Sequence, residues 1–400
     1  MIRFTTAGES HGRAIVAILE GVPAGLSISA GDIDADLTRR MLGHGRSARM
    51  KIESDRVQIL SGVRAGETIG SPITLVVENL DYENWRDVMA VEASQEAPRR
   101  QFRRPRPGHA DLVGTLKYDR RDARDVLERA SARETVGRVA AGAVCRRLLE
   151  MVGVEIGSHV VSLGGIDAKL PSPLPEPLNA AADRSPVRCL DARAEAEMVA
   201  RIDAAKAAGD SLGGVAEVVA RRLVVGLGSH VSWDRKLDSR LAAAWMSIPA
   251  VKGVEIGLGF GASRLPGSQT HDELGRAPDG AARRAGGFVR ATNRAGGLEG
   301  GITTGEPLVA RLAMKPLATM MQPLASVDLE TGAAAKAQAE RSDVTAVPAM
   351  AVIAEAMAAL VLADAYADKF GGDSLSEMRR NIDGYLAQLD ARRAAWRDGG

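Results

Sequence analysis

Two histidines in this chain sit in short turns that can carry a proton-bearing ring close to a ligand. The first lies in Gly8-Glu9-Ser10-His11-Gly12, where glycines flank a hydroxyl and an imidazole and allow a close backbone approach. The second lies in Arg106-Pro107-Gly108-His109-Ala110-Asp111, where proline and glycine shape the turn and the acid can orient the ring. An imidazole has an ordinary pKa of about 6.5, so both rings can pass protons near neutral pH. Either segment alone also fits a plain turn; together they point to acid–base chemistry.

Guanidinium groups crowd the same regions. Arg39, Arg40, Arg46, Arg49 and Lys51 form one stretch, and Arg99, Arg100, Arg103, Arg104 and Arg106 another. Guanidinium binds phosphate and carboxylate bidentately, so a ligand with several anionic groups accounts for the first stretch, which Gly43 and Gly45 allow to wrap. Residues 99–104 fit a solvated loop equally well. Arg129-Ala130-Ser131-Ala132-Arg133-Glu134-Thr135 opens a predicted helix, whose N–H groups and dipole attract phosphate, although an ordinary cap fits too. Paired glycines between Thr292 and Gly305, followed by Lys315-Pro316-Leu317-Ala318-Thr319, suit a phosphate or a flat ring. Asp343, near Arg341, is a candidate carboxylate base or a salt-bridged helix cap.

The elements that must position these groups are legible in part. Ser131 with Glu134 forms a capping-box pattern that predicts a helix to about Met151, with Gly153 as its stop. Further helices are expected from Ala192 to Ala208 before Gly209, from Trp233 to Ile248 before Pro249, and from Pro348 to Phe370. A last one should run from Ser374, with Glu377 three residues on, to about Trp396. Val57 to Leu60, Ile73 to Val77, Val215 to Val219 and Leu308 to Leu312 read as strands. Strands and helices cluster without alternating, so an α+β arrangement is expected over a doubly wound parallel sheet. Residues 80–107 and 164–189 read as loop insertions, and no linker divides the chain, so residues 1–400 are expected to form a single large domain.

Composition narrows the function. With 52 Lys and Arg against 51 Asp and Glu, no global field favours nucleic acid or a membrane surface. Aromatic residues are 3% of the chain, too few for the stacking platforms of an RNA reader. Two cysteines supply neither a disulfide framework nor a zinc pattern, so no metal site and a reducing compartment are expected. The N-terminal residues lack a basic and then apolar leader, and Glu355 interrupts the most apolar run, which predicts a cytoplasmic protein with no membrane span.

Taken in order, GESHG at 8–12, RPGHAD at 106–111, RASARET at 129–135, TNRAGGLEGG at 292–301, KPLAT at 315–319, RSDVTAVPA at 341–349 and FGGDS at 370–374 resemble the chorismate synthase family. The resemblance implies helices sandwiched between antiparallel β-sheets and usually a homotetramer. It implies the anti-1,4-elimination of phosphate from 5-enolpyruvylshikimate 3-phosphate on reduced FMN, without net redox change. By that resemblance His11 protonates the departing phosphate and His109 is a proton donor to the flavin. Arg40, Arg46, Arg49, Arg106, Arg133 and Arg341 hold the substrate, and Ser10, Ser131 and Asp343 lie near flavin N5. The flavin contacts are expected at Arg129, Ala130 and Ser131, at Pro249 and Ala250, at Gly300, at Lys315, Pro316, Leu317, Ala318 and Thr319, and at Arg341. Arg40 and Arg46 also match positions assigned to NADP. No reductase domain is visible, so a monofunctional enzyme is expected, with NADPH acting only indirectly through an external flavin reductant.

The chain departs from the family pattern locally. It has His44-Gly45-Arg46-Ser47 where Tyr-Gly-Arg-Gly is frequent, Pro249 where Asn or Gln is frequent, Ala318 where a second proline is frequent, and extra length within 261–290.

Overall fold

The structure, a computed structural model, describes residues 1–46, 55–93, 100–278, 280–339 and 342–395. Its first sheet grows from strands whose alternate residues are buried or partly buried. These are β1 (Arg3–Ala7) and β2 (Ala14–Glu20), then, after helix α1 (Ala30–Met41), β3 (Val57–Ile59) and β4 (Ile73–Glu78). They pair antiparallel in the order β1-β2-β4-β3, with Thr6 opposite Ala17 and Ile15 opposite Val77. The β1–β2 turn holds the first histidine motif. Gly8 has φ +105° there, and a Cβ on it would lie 2.2 Å from the Ala14 carbonyl oxygen, so only glycine fits.

Next come helices α2 (Asp111–Tyr118), α3 (Arg124–Ala130) and α4 (Thr135–Met151), strands β5 (Glu155–Leu163) and β6 (Ile166–Asp167), and helices α5 (Leu178–Ala182) and α6 (Ala192–Ala208). Strand β7 (Gly214–Arg221), helix α7 (Leu237–Met246), and strands β8 (Val251–Ile256) and β9 (Leu308–Met314) follow. Helices α8 (Val347–Phe370) and α9 (Leu375–Ala395) end the described chain. The second sheet has the order β8-β9-β7-β5-β6 and is also antiparallel.

The core sits between these sheets. Helix α4 packs on β2 and β4, α8 packs on β5 and β7, and the two helices pack on each other. They approach closely because Gly142 has no side chain; a Cβ there would lie 2.5 Å from that of Ala356. Helix α8 is long and apolar enough to cross a membrane, but it lies buried inside the protein, apolar on all sides as a core helix must be.

Helix boundaries depart from expectation where tertiary contacts intervene. The helix expected from Ser131 begins only at Thr135. Ser131 is extended, with φ −67° and ψ 145°, and caps a 3-10 turn at Ala132–Glu134 by accepting from the Arg133 N–H at 3.3 Å. The Glu134 carboxylate does not complete a capping box, because Thr6 and Arg138 hold it. The helix expected over Trp233 to Ile248 is broken at extended Lys236, against which Gly301 packs, leaving a 3-10 turn at Trp233–Arg235 before α7. Helix α1 lacks a long apolar run; its sequence signal is a capping box of Ser29 and Asp32.

Candidate active site

The β1–β2 turn, the loop before α2, the α3–α4 junction and the start of α8 meet at a cavity of about 630 Å³. His11 and His109 both line it. His11 Nδ1 lies 2.9 Å from Glu128 Oε1, and its backbone N–H donates to Oε2 at 2.8 Å. A carboxylate only accepts, so Nδ1 carries the hydrogen and Nε2 is the nitrogen able to exchange a proton with a ligand. Trp85 covers the imidazole, with ring centroids 3.8 Å apart. Burial pushes the Glu128 carboxyl up, but hydrogen bonds from His11 and Arg124 outweigh it and hold the group below its ordinary range.

His109 repeats the arrangement. Its Nδ1 is 2.5 Å from Asp111 Oδ1, and the fully buried Asp111 also accepts from Arg106 Nε at 2.8 Å and Nη2 at 3.0 Å. Burial raises the Asp111 carboxyl, yet the bonds from His109 and Arg106 hold it well below the usual carboxylate range. Arg106 is therefore largely committed to Asp111 and, through Nη1, to Thr319 Oγ1 at 2.8 Å, although it lines the cavity.

Arg40 and Arg133 also line the cavity and share one buried carboxylate. Asp55 receives Arg40 Nη1 at 3.2 Å and Arg133 Nη1 at 3.3 Å, so two cations meet one anion. Arg46 pairs with Asp343 at 2.9 Å, which makes Arg46 a defined partner of the acid that the sequence pointed to beside Arg341. Ser10 and Ser131 lie within the same lining, their hydroxyls 3.0 Å apart. Arg129, Ala130, Pro249, Ala250, Lys315, Leu317, Ala318 and Thr319 complete the expected set. Ala250 is held at φ +67°, a conformation that an L-residue rarely adopts. Lys315 has its pKa lowered, by burial first and then by Lys252.

Not every expected residue joins them. Gly300 lies in the turn between Leu298–Glu299 and Ile302–Thr303 and, like Pro316, is outside the lining. Arg49 and Arg341 lie outside the described residues. Arg39, next to Arg40 in sequence, points instead into an ion network with Asp36, Asp183 and Glu355. Arg103 pairs with Glu330, as a solvated loop residue would.

Part of the lining is apolar, from Ile248, Met314, Leu317, Met350 and Ile353, and the polar part is rich in arginine, with Glu134 and Asp343 among it. That donor set suits a flat, electron-rich ring on the apolar part and a multiply anionic ligand against the guanidiniums. A family model described as chorismate synthase matches residues 2–367. The chain belongs to the chorismate synthase family. It is accordingly a lyase of the shikimate pathway. Chorismate synthase of Symbiobacterium thermophilum is 56% identical over 397 residues, covering 98% of this chain and 100% of the relative. That of Geobacter sulfurreducens is 55% identical, with the same shares covered. A solved structure titled as a crystal structure of chorismate synthase superposes with a TM-score of 0.77 at 41% identity, covering 98% of both chains.

Several residues of the site escape a motif-based reading. Glu128 stands beside a recognised segment, but only the fold joins it to His11. Asp55 and Trp85 come from stretches without a signal, Trp85 from a segment that reads as an insertion. Arg138, which lines the cavity and bonds Glu134 and Ser247, shows only the i, i+4 spacing of a helix salt bridge.

Proposed function

We propose that this cavity carries out the anti-1,4-elimination of phosphate from 5-enolpyruvylshikimate 3-phosphate to give chorismate, with reduced FMN bound beside the substrate. The observation that supports it is the convergence of two imidazoles, each with a carboxylate on Nδ1, on one arginine-rich cavity. Arg40, Arg46, Arg106 and Arg133, with Arg49 and Arg341, hold the substrate's phosphate and carboxylates and stabilise the leaving anion where water is largely excluded. His11 gives its Nε2 proton to the departing phosphate. His109, its ring set by Asp111, holds a proton toward the flavin. Ser10, Ser131 and Asp343 line the side nearest flavin N5.

The apolar and cationic lining suits FMN held by Arg129, Ala130, Ser131, Pro249, Ala250, Lys315, Leu317, Ala318 and Thr319. Pro316, Gly300 and Arg341 belong to the same proposed contact set. When bound, reduced FMN supplies an electron-rich ring that stabilises charge developing at the allylic carbon. Arg40 and Arg46 would also meet NADP, while reducing power comes from an external flavin reductant, making the chain monofunctional. We further propose one domain over residues 1–400, with its helical layer sandwiched between the sheets, in a cytoplasmic homotetramer. The continuous core and the packing of α4 and α8 on opposite sheets support the layering.

The test is an anaerobic assay with chemically reduced FMN and the phosphorylated substrate, following chorismate and phosphate together. Equal release of both is expected, and no product from folded protein would overturn the proposal. Oxidised FMN with NADPH under the same conditions should keep its absorbance band; rapid bleaching would refute monofunctionality.

A further inference from the structure

We propose that Glu128 is a positioning residue for His11, fixing its tautomer and holding its ring as the proton donor of the site. This rests on the function proposed above. The geometry is unusually complete for one side chain. Glu128 is 3% exposed. Its Oε2 accepts the His11 backbone N–H at 2.8 Å, and both carboxylate oxygens lie within 3.0 Å of His11 Nδ1. Its own carbonyl accepts the Ser10 N–H at 2.8 Å, so α3 grips the β1–β2 turn at two successive backbone amides and one ring nitrogen. Arg124, one turn earlier in α3, donates to Oε1 at 2.9 Å and fixes the carboxylate's own rotamer.

The ring is held from its face as well. Trp85 lies against it, and the guanidiniums of Arg100 and Arg124 lie 4.4 and 5.0 Å from the Trp85 ring centroid. An imidazole so clamped can neither flip nor exchange tautomers without breaking the Glu128 contact. The charged groups around His11 are Arg124 behind Glu128, Arg100 behind Trp85, and, in the shared cavity lining, Arg40, Arg106 and Arg133 together with Glu134 and Asp343. Glu128 places its carboxylate in contact with the ring nitrogen.

The test is Glu128→Gln, with Glu128→Asp as the second variant. In the Gln variant we expect kcat to fall about a hundredfold with KM nearly unchanged, the scale of one misdirected general acid. The Asp variant should keep the parent tautomer with part of the rate. Nitrogen NMR of ¹⁵N-His-labelled protein reads the tautomer without any turnover. With the ring neutral, the parent should have its His11 hydrogen on Nδ1, and the Gln variant a mixture. Parent-like tautomer and rate in the Gln variant would overturn the proposal. If the Gln variant does not fold, a folded Asp variant that loses the Nδ1 tautomer yet keeps the parent rate would overturn it instead. A tautomer change in protein that releases no chorismate would leave the positioning intact and defeat the proposed reaction instead.

Discussion

Two arginine-rich regions of this molecule lie side by side and have opposite designs. Around Glu355, on α8, Arg39 donates at 2.9 and 3.0 Å, Arg146 at 2.5 Å and Arg188 at 3.1 Å, while Asp36 and Asp183 supply two more carboxylates. Three cations meet three anions, with Ser158 and Asn179 taking further lone pairs of Glu355. Around His11 and His109, Arg40 and Arg133 both pair with Asp55, and their guanidiniums line a cavity. In the first cluster three cations are matched by three carboxylates; in the second, guanidiniums share a cavity with two imidazoles. Crowding of guanidiniums is thus no sign of a ligand site by itself. What decides is the company that the guanidiniums keep.

The comparison is sharpened most by substitutions that should act on opposite properties. His109→Ala should lower kcat by about 10²- to 10⁴-fold while substrate affinity changes little, as single-turnover kinetics and direct binding would measure. Normal turnover would remove His109 from the proposed chemistry.

Glu355→Ala should leave three buried guanidiniums without their shared anion and cost about 3–5 kcal/mol of stability in denaturant unfolding. A parent-like midpoint would erase the contrast between the clusters. The same carboxylate predicts an acid limb. Burial raises the Glu355 carboxyl, but Arg39, Arg146 and Arg188 hold it well below its usual range. Its contribution is therefore complete above an unfolded-state pKa of about 4.3 and is lost as pH falls from there toward the depressed folded value. Glu355→Gln should flatten stability against pH across that window, and an unchanged slope would contradict it.

Arg49→Ala should have the smallest effect of these substitutions. Substrate affinity should weaken about tenfold, roughly 1.4 kcal/mol, with a smaller change in kcat. A loss confined to kcat would move Arg49 from binding to chemistry.

The separation of Arg39 from Arg40 explains why sequence reading stops where it does. Consecutive helix residues point about 100° apart, so one side chain of α1 enters the Glu355 network and the next enters the cavity. Both read as members of one basic stretch. Elements with strong local signals were legible: α6 ends at Gly209, whose φ is +70°, and α8 runs into Gly371. The His109 and Asp111 pair was also legible, since the two residues share one turn.

The amino-acid order by itself determined the glycine turns, the ends of α6, α8 and α9, the second histidine with its carboxylate, and a resemblance carried by motifs spread along the chain. Periodicity, caps and turn chemistry act within a few residues, so they can be read without a fold. Only the tertiary structure decided that Glu128 holds His11, that Asp55 bridges Arg40 and Arg133, and that Glu355 neutralises Arg39. Each of those pairings joins residues far apart in the chain, and charges brought together by packing leave no local signal in it.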